Sequence, residues 1–268
     1  RYNTVAEQVE LTKNCKGTRA AAIGVSGDFE ERALAAYDAG AKILCVDIAH
    51  GHHVLMKNAL TRLREIFGGS VHIMAGNVAT LEGFNDLASW GANSIRVGIG
   101  GGSICSTRLV SGHGVPTFQS ILECSRTEYD VKIIADGGIK TTGDIVKAMA
   151  AGADFAMVGS MLAGTKETPG EVFVGSKGKQ YKVYRGMASS AAQKEWRGRS
   201  STPEGVSTTI PFKGTINTVL DEIRGGLCSG LSYSGALNLV EFRSRAEFIK
   251  QTKAGQKESF THILRRNK

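Results

Sequence analysis

The sequence predicts an α/β protein built as a parallel (β/α)8 barrel, and two observations lead there. Three segments share one grammar of helical pattern, glycine next to alanine, and apolar run: 35–41 into 43–46, 87–92 into 94–97, and 148–153 into 155–158. Glycine just past a last helical turn is the usual C-terminal cap, and helices alternating with short buried strands mean parallel strands joined by helical crossovers. Polar and glycine residues also follow every strand from the second on: Asp47 with His50-Gly51-His52, Gly76-Asn77, Gly98 to Cys105, Asp136-Gly137-Gly138, and Gly159-Ser160. A barrel builds its site from such loops, whereas a doubly wound sheet gathers ligand residues at one or two switch points.

Taken in order, strands are expected at 19–25, 43–48, 71–75, 94–97, 132–135 and 155–158. Amphipathic helices are expected at about 29–39 and 53–66, and a third starts at Thr141-Thr142-Gly143-Asp144 with Ile145, Ala148 and Met149 on one face. After the sixth strand the grammar stops. Residues 171–184 read as a hairpin around Ser176-Lys177-Gly178, and 194–209 as a long polar flap without apolar period. A last helix is expected at about 216–227, followed by an irregular tail. Six strands fall two short of a barrel, so two further βα units are expected before Arg1, with 1–268 forming one catalytic domain and 165–213 its hairpin and mobile flap.

A chain of 268 residues can bury one large core, and 41% apolar with 22% charged residues is ordinary for a globular protein. No apolar run reaches membrane-span length and no signal peptide is visible. Five scattered cysteines without a CxxC pair suggest neither zinc nor a disulfide framework, so a cytoplasmic location is expected. The net charge of +8 is dispersed and not interleaved with aromatics, which favours a phosphate-bearing small molecule over nucleic acid.

The most informative stretch runs from Arg96 to Arg108. A short strand breaks into four glycines (Gly98, Gly100, Gly101, Gly102) and then delivers Cys105, with Thr107 and Arg108 beside it. Glycines admit positive φ and close ligand approach, successive N–H groups there bind polar groups, and a cysteine so placed suits a nucleophile. A glycine-rich turn ending in a buried thiol is the plain alternative.

The chain resembles the IMP dehydrogenase/GMP reductase family. The matching motifs are Asp47-Ile48-Ala49-His50-Gly51-His52, Ala75-Gly76-Asn77-Val78, Gly98 through Arg108, Ala135-Asp136-Gly137-Gly138-Ile139, Val158-Gly159-Ser160 through Gly164, and Tyr184-Arg185-Gly186-Met187. The resemblance implies a barrel that binds a purine nucleoside monophosphate, with Cys105 attacking C2 of the purine, Thr107 carrying a proton and Glu204 as the acid at the flap end. It implies nucleotide contacts from Ser103, Asp136, Gly137, Gly138, Gly159, Ser160, Tyr184, Arg185, Gly186, Met187 and Ala188. Asp47, Ile48, Ala49, Asn77, Gly98, Ile99 and Gly100 are implied on the side of a nicotinamide dinucleotide. Carbonyls of Gly100, Gly102 and Cys105 are implied to bind a potassium-like cation, completed by Glu258, Ser259 and Phe260 of a neighbouring subunit in a homotetramer.

Each residue has a plainer reading. Glu204 and Arg185 also suit solvated charges; His50, His52 and His53 suit polar loop residues rather than a metal site. Cys45 suits the core, and Cys15, Cys124 and Cys228 receive no role. Trp90 suits packing, and Trp196 in the flap stays open between packing and base stacking. The resemblance covers two reactions. A reductase takes GMP to IMP with NADPH; a dehydrogenase takes IMP to XMP with NAD and must activate water, for which the family uses an Arg-Tyr pair on a long flap. Here 191–204 is short and lacks that pair, and Pro211-Phe212-Lys213-Gly214 and 231–235 resemble the reductases, whereas Glu258-Ser259 resembles the dehydrogenases. The expectation is a GMP reductase using NADPH, with IMP dehydrogenase as the alternative and a nucleotide-binding protein without turnover as the third reading.

Overall fold

Six parallel strands pair in strict chain order: β1 (Ala20–Ile23), β2 (Ile43–Asp47), β3 (His72–Val78), β4 (Ser94–Val97), β5 (Lys132–Asp136) and β6 (Phe155–Met157). This computed structural model describes residues 2–175 and 178–261, so Ser176 and Lys177 of the expected hairpin tip lie outside the described residues. All six strands lie where the apolar runs predict them. Because no strand order is reversed, there is no switch point, and the sheet is a barrel-type arc. Among the described residues β1 and β6 do not pair with each other, so the arc is open, and Phe155 on its edge is 57% exposed.

The period-2 alternation of the strands sends one set of side chains outward. Leu44 and Val46, Ile73 and Ala75, and Ile95 and Val97 are each fully buried there. The helices that cover them are α2 (Phe29–Asp38), α3 (Val54–Phe67), α4 (Leu81–Ser89), α6 (Thr117–Cys124) and α7 (Thr142–Ala150). Their buried faces recur at helical spacing, as with Met56, Leu60 and Leu63 on α3 and Ile145, Ala148 and Met149 on α7. Cys124 belongs to this layer, and burial pushes its thiol up to about 12. Cys45 does not: it alternates with Leu44 and Val46, so it lies on the inner face of the arc and is half-buried.

Between β6 and the returning helix α9 (Ile216–Tyr233) the chain makes an excursion from the C-terminal end of the strands. It holds β7 (Phe173–Val174), β8 (Gln180–Arg185), α8 (Ser190–Arg197) and β9 (Ser207–Pro211), with β7-β8-β9 forming a separate antiparallel sheet. The structure therefore corrects the expected unstructured flap. Ser189 caps α8, Gly198 ends it at φ +71°, and β9 pairs along β8, which leaves only 198–206 irregular. The tail is also more ordered than expected. Helix α9 runs six residues past the expected end, and α10 (Leu239–Arg245) and α11 (Lys253–Glu258) follow. Arg243 clamps α10 to the arc through Ala153 O (2.6 Å) and Asp154 (3.2 Å). Helix α1 (Val5–Asn14), helix α6 and the single turn α5 (Thr107–Val110) were not among the expected elements.

Helix α7 begins with a capping box: Asp144 N–H donates to Thr141 Oγ1 (3.2 Å), and Asp144 Oδ2 accepts from Lys140 N and Thr141 N (3.0 Å each). Partial burial pushes the Asp144 carboxyl up, but these donors outweigh it and hold it below its ordinary value. A depressed carboxylate contributes stability above its unfolded pKa, and that stability is lost as pH falls through the folded value. Asp144→Asn is expected to cost about 0.5–1 kcal/mol in urea unfolding at neutral pH. The difference from wild type should vanish in acid below the folded value.

Candidate active site

The loop after β4 touches the loop after β5 main chain to main chain. Gly98 has φ +145°, and a Cβ there would lie 1.9 Å from Asp136 O. Gly137 has φ +89°, and a Cβ there would lie 3.1 Å from the backbone of Gly101 and Gly102. Only glycine satisfies both the dihedral and the space. The paired loops wall a cavity of about 200 Å³ that is also lined by Ser103, Asp136, Gly138, Gly159, Ser160 and Tyr184. Seven of the eleven residues expected at a nucleotide thus share one cavity. Lys140 and Met157 line it too and were not expected. Ser103 Oγ and Tyr184 OH face each other at 3.3 Å.

The other four expected nucleotide residues lie beside this cavity. Arg185 pairs with Glu195 of α8, and Met187 with Arg185 borders an adjoining apolar hollow that shares Gly159 and Tyr184. Gly186 donates to Val206 O (3.0 Å), and Ala188 O accepts from Glu204 N (3.2 Å). These two hold the end of the flap rather than the cavity wall.

The Cys105 thiol is exposed, and its Sγ donates to Thr107 Oγ1 (3.2 Å), which donates to Glu204 Oε2 (2.7 Å). Thr107 opens α5, two residues past the cysteine, whereas Glu204 arrives from 97 residues further along the chain. Backbone pairing brings it there. Cys105 bridges Gly205 in antiparallel fashion, and Ser189 bridges the same glycine. Ser106 N donates to Glu204 O (2.9 Å), and Val206 N donates to Ile104 O (3.0 Å). A thiol, a hydroxyl and a carboxylate in line can pass a proton between the sulfur and the acid.

Deeper in the arc, Arg96 on β4 ion-pairs with Asp47 on β2 and lies 3.9 Å from Asp136 on β5. Asn77 Nδ2 donates to both Asp136 Oδ2 and Gly98 O (2.8 Å each). Burial pushes the Asp136 carboxyl up; Asn77 and Arg96 oppose this, and Asp47 adds to it. Burial weakens the Arg96 guanidinium, but Cys45, Asp47 and Asp136 outweigh it, so its pKa lies above the ordinary value. Sequence reasoning missed Arg96, although a charge inside a four-residue buried strand calls for partners.

The residues expected at a nicotinamide dinucleotide gather around the same cluster. Ile48 N donates to Gly76 O (3.2 Å), and Gly98 and Ile99 are buried. Gly100 rests on the Arg108 side chain, whose guanidinium donates to Val115 O (2.7 Å). Gly102 O accepts from Cys105 N (3.1 Å), and Glu258 ends α11, where Ser259 Oγ donates to Gly255 O (2.9 Å). His52 meets Asp86 at 2.8 Å with its ring 6.4 Å from that of His50, and His53 caps α3. Trp90 packs at the end of α4 with Lys57 6.0 Å from its ring, and Trp196 packs against Tyr2 with the rings tilted by 48° and 4.6 Å apart.

Residues 6–262 match the profile of the IMP dehydrogenase / GMP reductase domain. The chain is 46% identical to a GMP reductase of Leishmania major over 91% of its own length and 52% of that protein's. It is 43% identical to an inosine-5'-monophosphate dehydrogenase of Nitrosopumilus maritimus, over 90% of this chain and 53% of the relative. It thus spans about half the length of these curated relatives. The crystal structure of a GMP reductase variant from Trypanosoma brucei in complex with guanosine 5'-monophosphate superposes with a TM-score of 0.87 at 43% identity, covering 95% of this chain and 56% of that one.

Gly98→Ala is expected to drive the two loops apart, costing about 2–4 kcal/mol of stability and abolishing ligand binding in the cavity. Gly112→Ala is the control, with positive φ but nothing within 4 Å. It should cost about 1 kcal/mol in thermal unfolding.

Proposed function

The chain belongs to the IMP dehydrogenase / GMP reductase family, and we propose that it is an NAD(P)-dependent oxidoreductase that reductively deaminates GMP to IMP. The observation that carries this reading is the Cys105–Thr107–Glu204 line, with its acid bonded at the end of a short flap. The thiol proton passes to Thr107 as the Thr107 proton passes to Glu204. The Cys105 sulfur then adds to C2 of the purine. Glu204 returns the proton through Thr107 to the departing amine, so ammonia leaves and a thioimidate remains on Cys105. Reduction at C2 expels the thiolate and completes IMP. A dehydrogenase would instead need a group that activates water, and residues 198–206 are tied at Gly205 to both Cys105 and Ser189.

NADPH, when bound, supplies the reducing equivalent. The residues present fit it: Asn77 makes both of its bonds through Nδ2, leaving its Oδ1 as an acceptor for a carboxamide N–H, with Gly98 to Gly100 alongside. The carbonyls of Gly100, Gly102 and Cys105 are hard neutral donors that suit a monovalent cation. In a homotetramer Glu258, Ser259 and Phe260 of a neighbouring subunit would complete that shell. Gly137, Gly138, Gly159 and Ser160 suit the phosphate, and the Asp136 carboxylate suits the ribose hydroxyls as a two-oxygen acceptor.

Incubation with GMP and NADPH should consume the dinucleotide and release ammonia and IMP, followed at the nicotinamide absorbance band. Sustained XMP and NADH from IMP and NAD would instead establish the dehydrogenase. Cys105→Ala should abolish turnover while GMP binding survives, because Cys105 does not line the cavity and most of its wall comes from the segments after β5 and β6 and from Tyr184.

A further inference from the structure

The strand register sets Asp47, Gly76 and Arg96 side by side on β2, β3 and β4. They form one row on the inner face of the arc. Gly76 carries no Cβ, and one built there would come within 2.8 Å of Arg96 Cβ. The missing side chain lets Arg96 lie across β3 and reach Asp47 two strands away. The other guanidinium arm lies 3.9 Å from Asp136, which stands on β5 two residues past Ile134, the register partner of Arg96. The Arg96 side chain is 9% exposed, and its Nε is a buried donor with no hydrogen-bond partner among the described residues. A buried arginine with one donor unspent is costly to the fold, which argues that its place between two carboxylates is retained for the site.

We propose that Arg96 is a positioning residue, the shared counter-ion that ties Asp136 on the nucleotide side to Asp47 on the cofactor side. This rests on the reading of Asp136 as the acceptor of the ribose hydroxyls. One positive charge serves two carboxylates, so whatever engages one of them changes what the guanidinium gives to the other. Such a link couples the two ligand sites reciprocally. The groups facing Asp136 are Asp47 from β2, Asn77 from β3 and Arg96 from β4, with Cys45 of β2 facing Arg96 and with Lys140 and Tyr184 lining the same cavity; among the described residues β6 contributes the uncharged Met157.

Removing Arg96 leaves Asp136 beside Asp47 with no cation between them, so Asp136 holds its proton to higher pH and is a poorer acceptor below that point. GMP binding to the protein without dinucleotide, measured by titration calorimetry from about pH 4, in the carboxylate range, up to about pH 8.5, reads this directly. Arg96→Gln should weaken GMP by about tenfold at the acid end, with the deficit narrowing to about twofold or less at the alkaline end. Arg96→Lys keeps the charge and should follow the wild-type profile. Asp47→Asn, alone or combined with Arg96→Gln, should strengthen binding at the acid end, because it removes the repelling carboxylate. A deficit constant across pH, or strictly additive effects of the two substitutions, overturns the proposal and leaves Arg96 a purely structural residue. Should Arg96→Gln not fold, Asp47→Asn alone still decides: an unmoved acid limb overturns it. Wild-type protein that binds neither GMP nor IMP at any pH overturns the nucleotide reading itself, a result distinct from normal binding with an unshifted profile.

Discussion

The C-terminal end of the arc depends on two stretches of bare backbone in contact. Gly98 sits against the Asp136 carbonyl, and Gly137 sits against Gly101 and Gly102. Side chains on either loop would hold them apart. Their contact puts the loop that carries Cys105 and the loop that carries Asp136 around one cavity, so both residues are placed by a single packing event. The positive φ at Gly98 and Gly137 is what ordering those loops requires, and glycine meets it without strain.

Much of this was legible in the sequence, and for identifiable reasons. Each strand of the arc is a short apolar run ended by polar residues, so all six stood out. The pairing of Cys105 with Thr107 was local and visible. Glu204 was reached only through family resemblance, since nothing in its own surroundings says that it folds back onto a residue 97 positions earlier. Helix α1 buries the polar Gln8 and Thr12 and so shows no apolar period, although its Thr4 and Glu7 capping box could have announced it. Strand β9 is almost wholly exposed and has no alternation to read; it is a strand because β8 offers it a partner.

The row Asp47–Gly76–Arg96 shows a different limit. Each residue reads separately as a motif member or a strand residue, and only the register reveals that the glycine is a gap for the arginine to cross. Asp136 and Asn77, assigned from sequence to two different ligands, are directly hydrogen-bonded. The two halves expected from the sequence therefore share one scaffold.

The anchoring of Gly205 to Cys105 and Ser189 makes the Cys105–Thr107–Glu204 line a property of two segments held in different ways. The arc is held by its buried outer face, whereas β9 and the loop before it bury almost nothing and rest on a few backbone hydrogen bonds. Segments of that kind open with far less free energy than a core sheet. Warming should therefore detach Glu204 from Thr107 well before the strands melt, so the temperature at which this line comes apart and the temperature at which the molecule denatures are set by different parts of the chain.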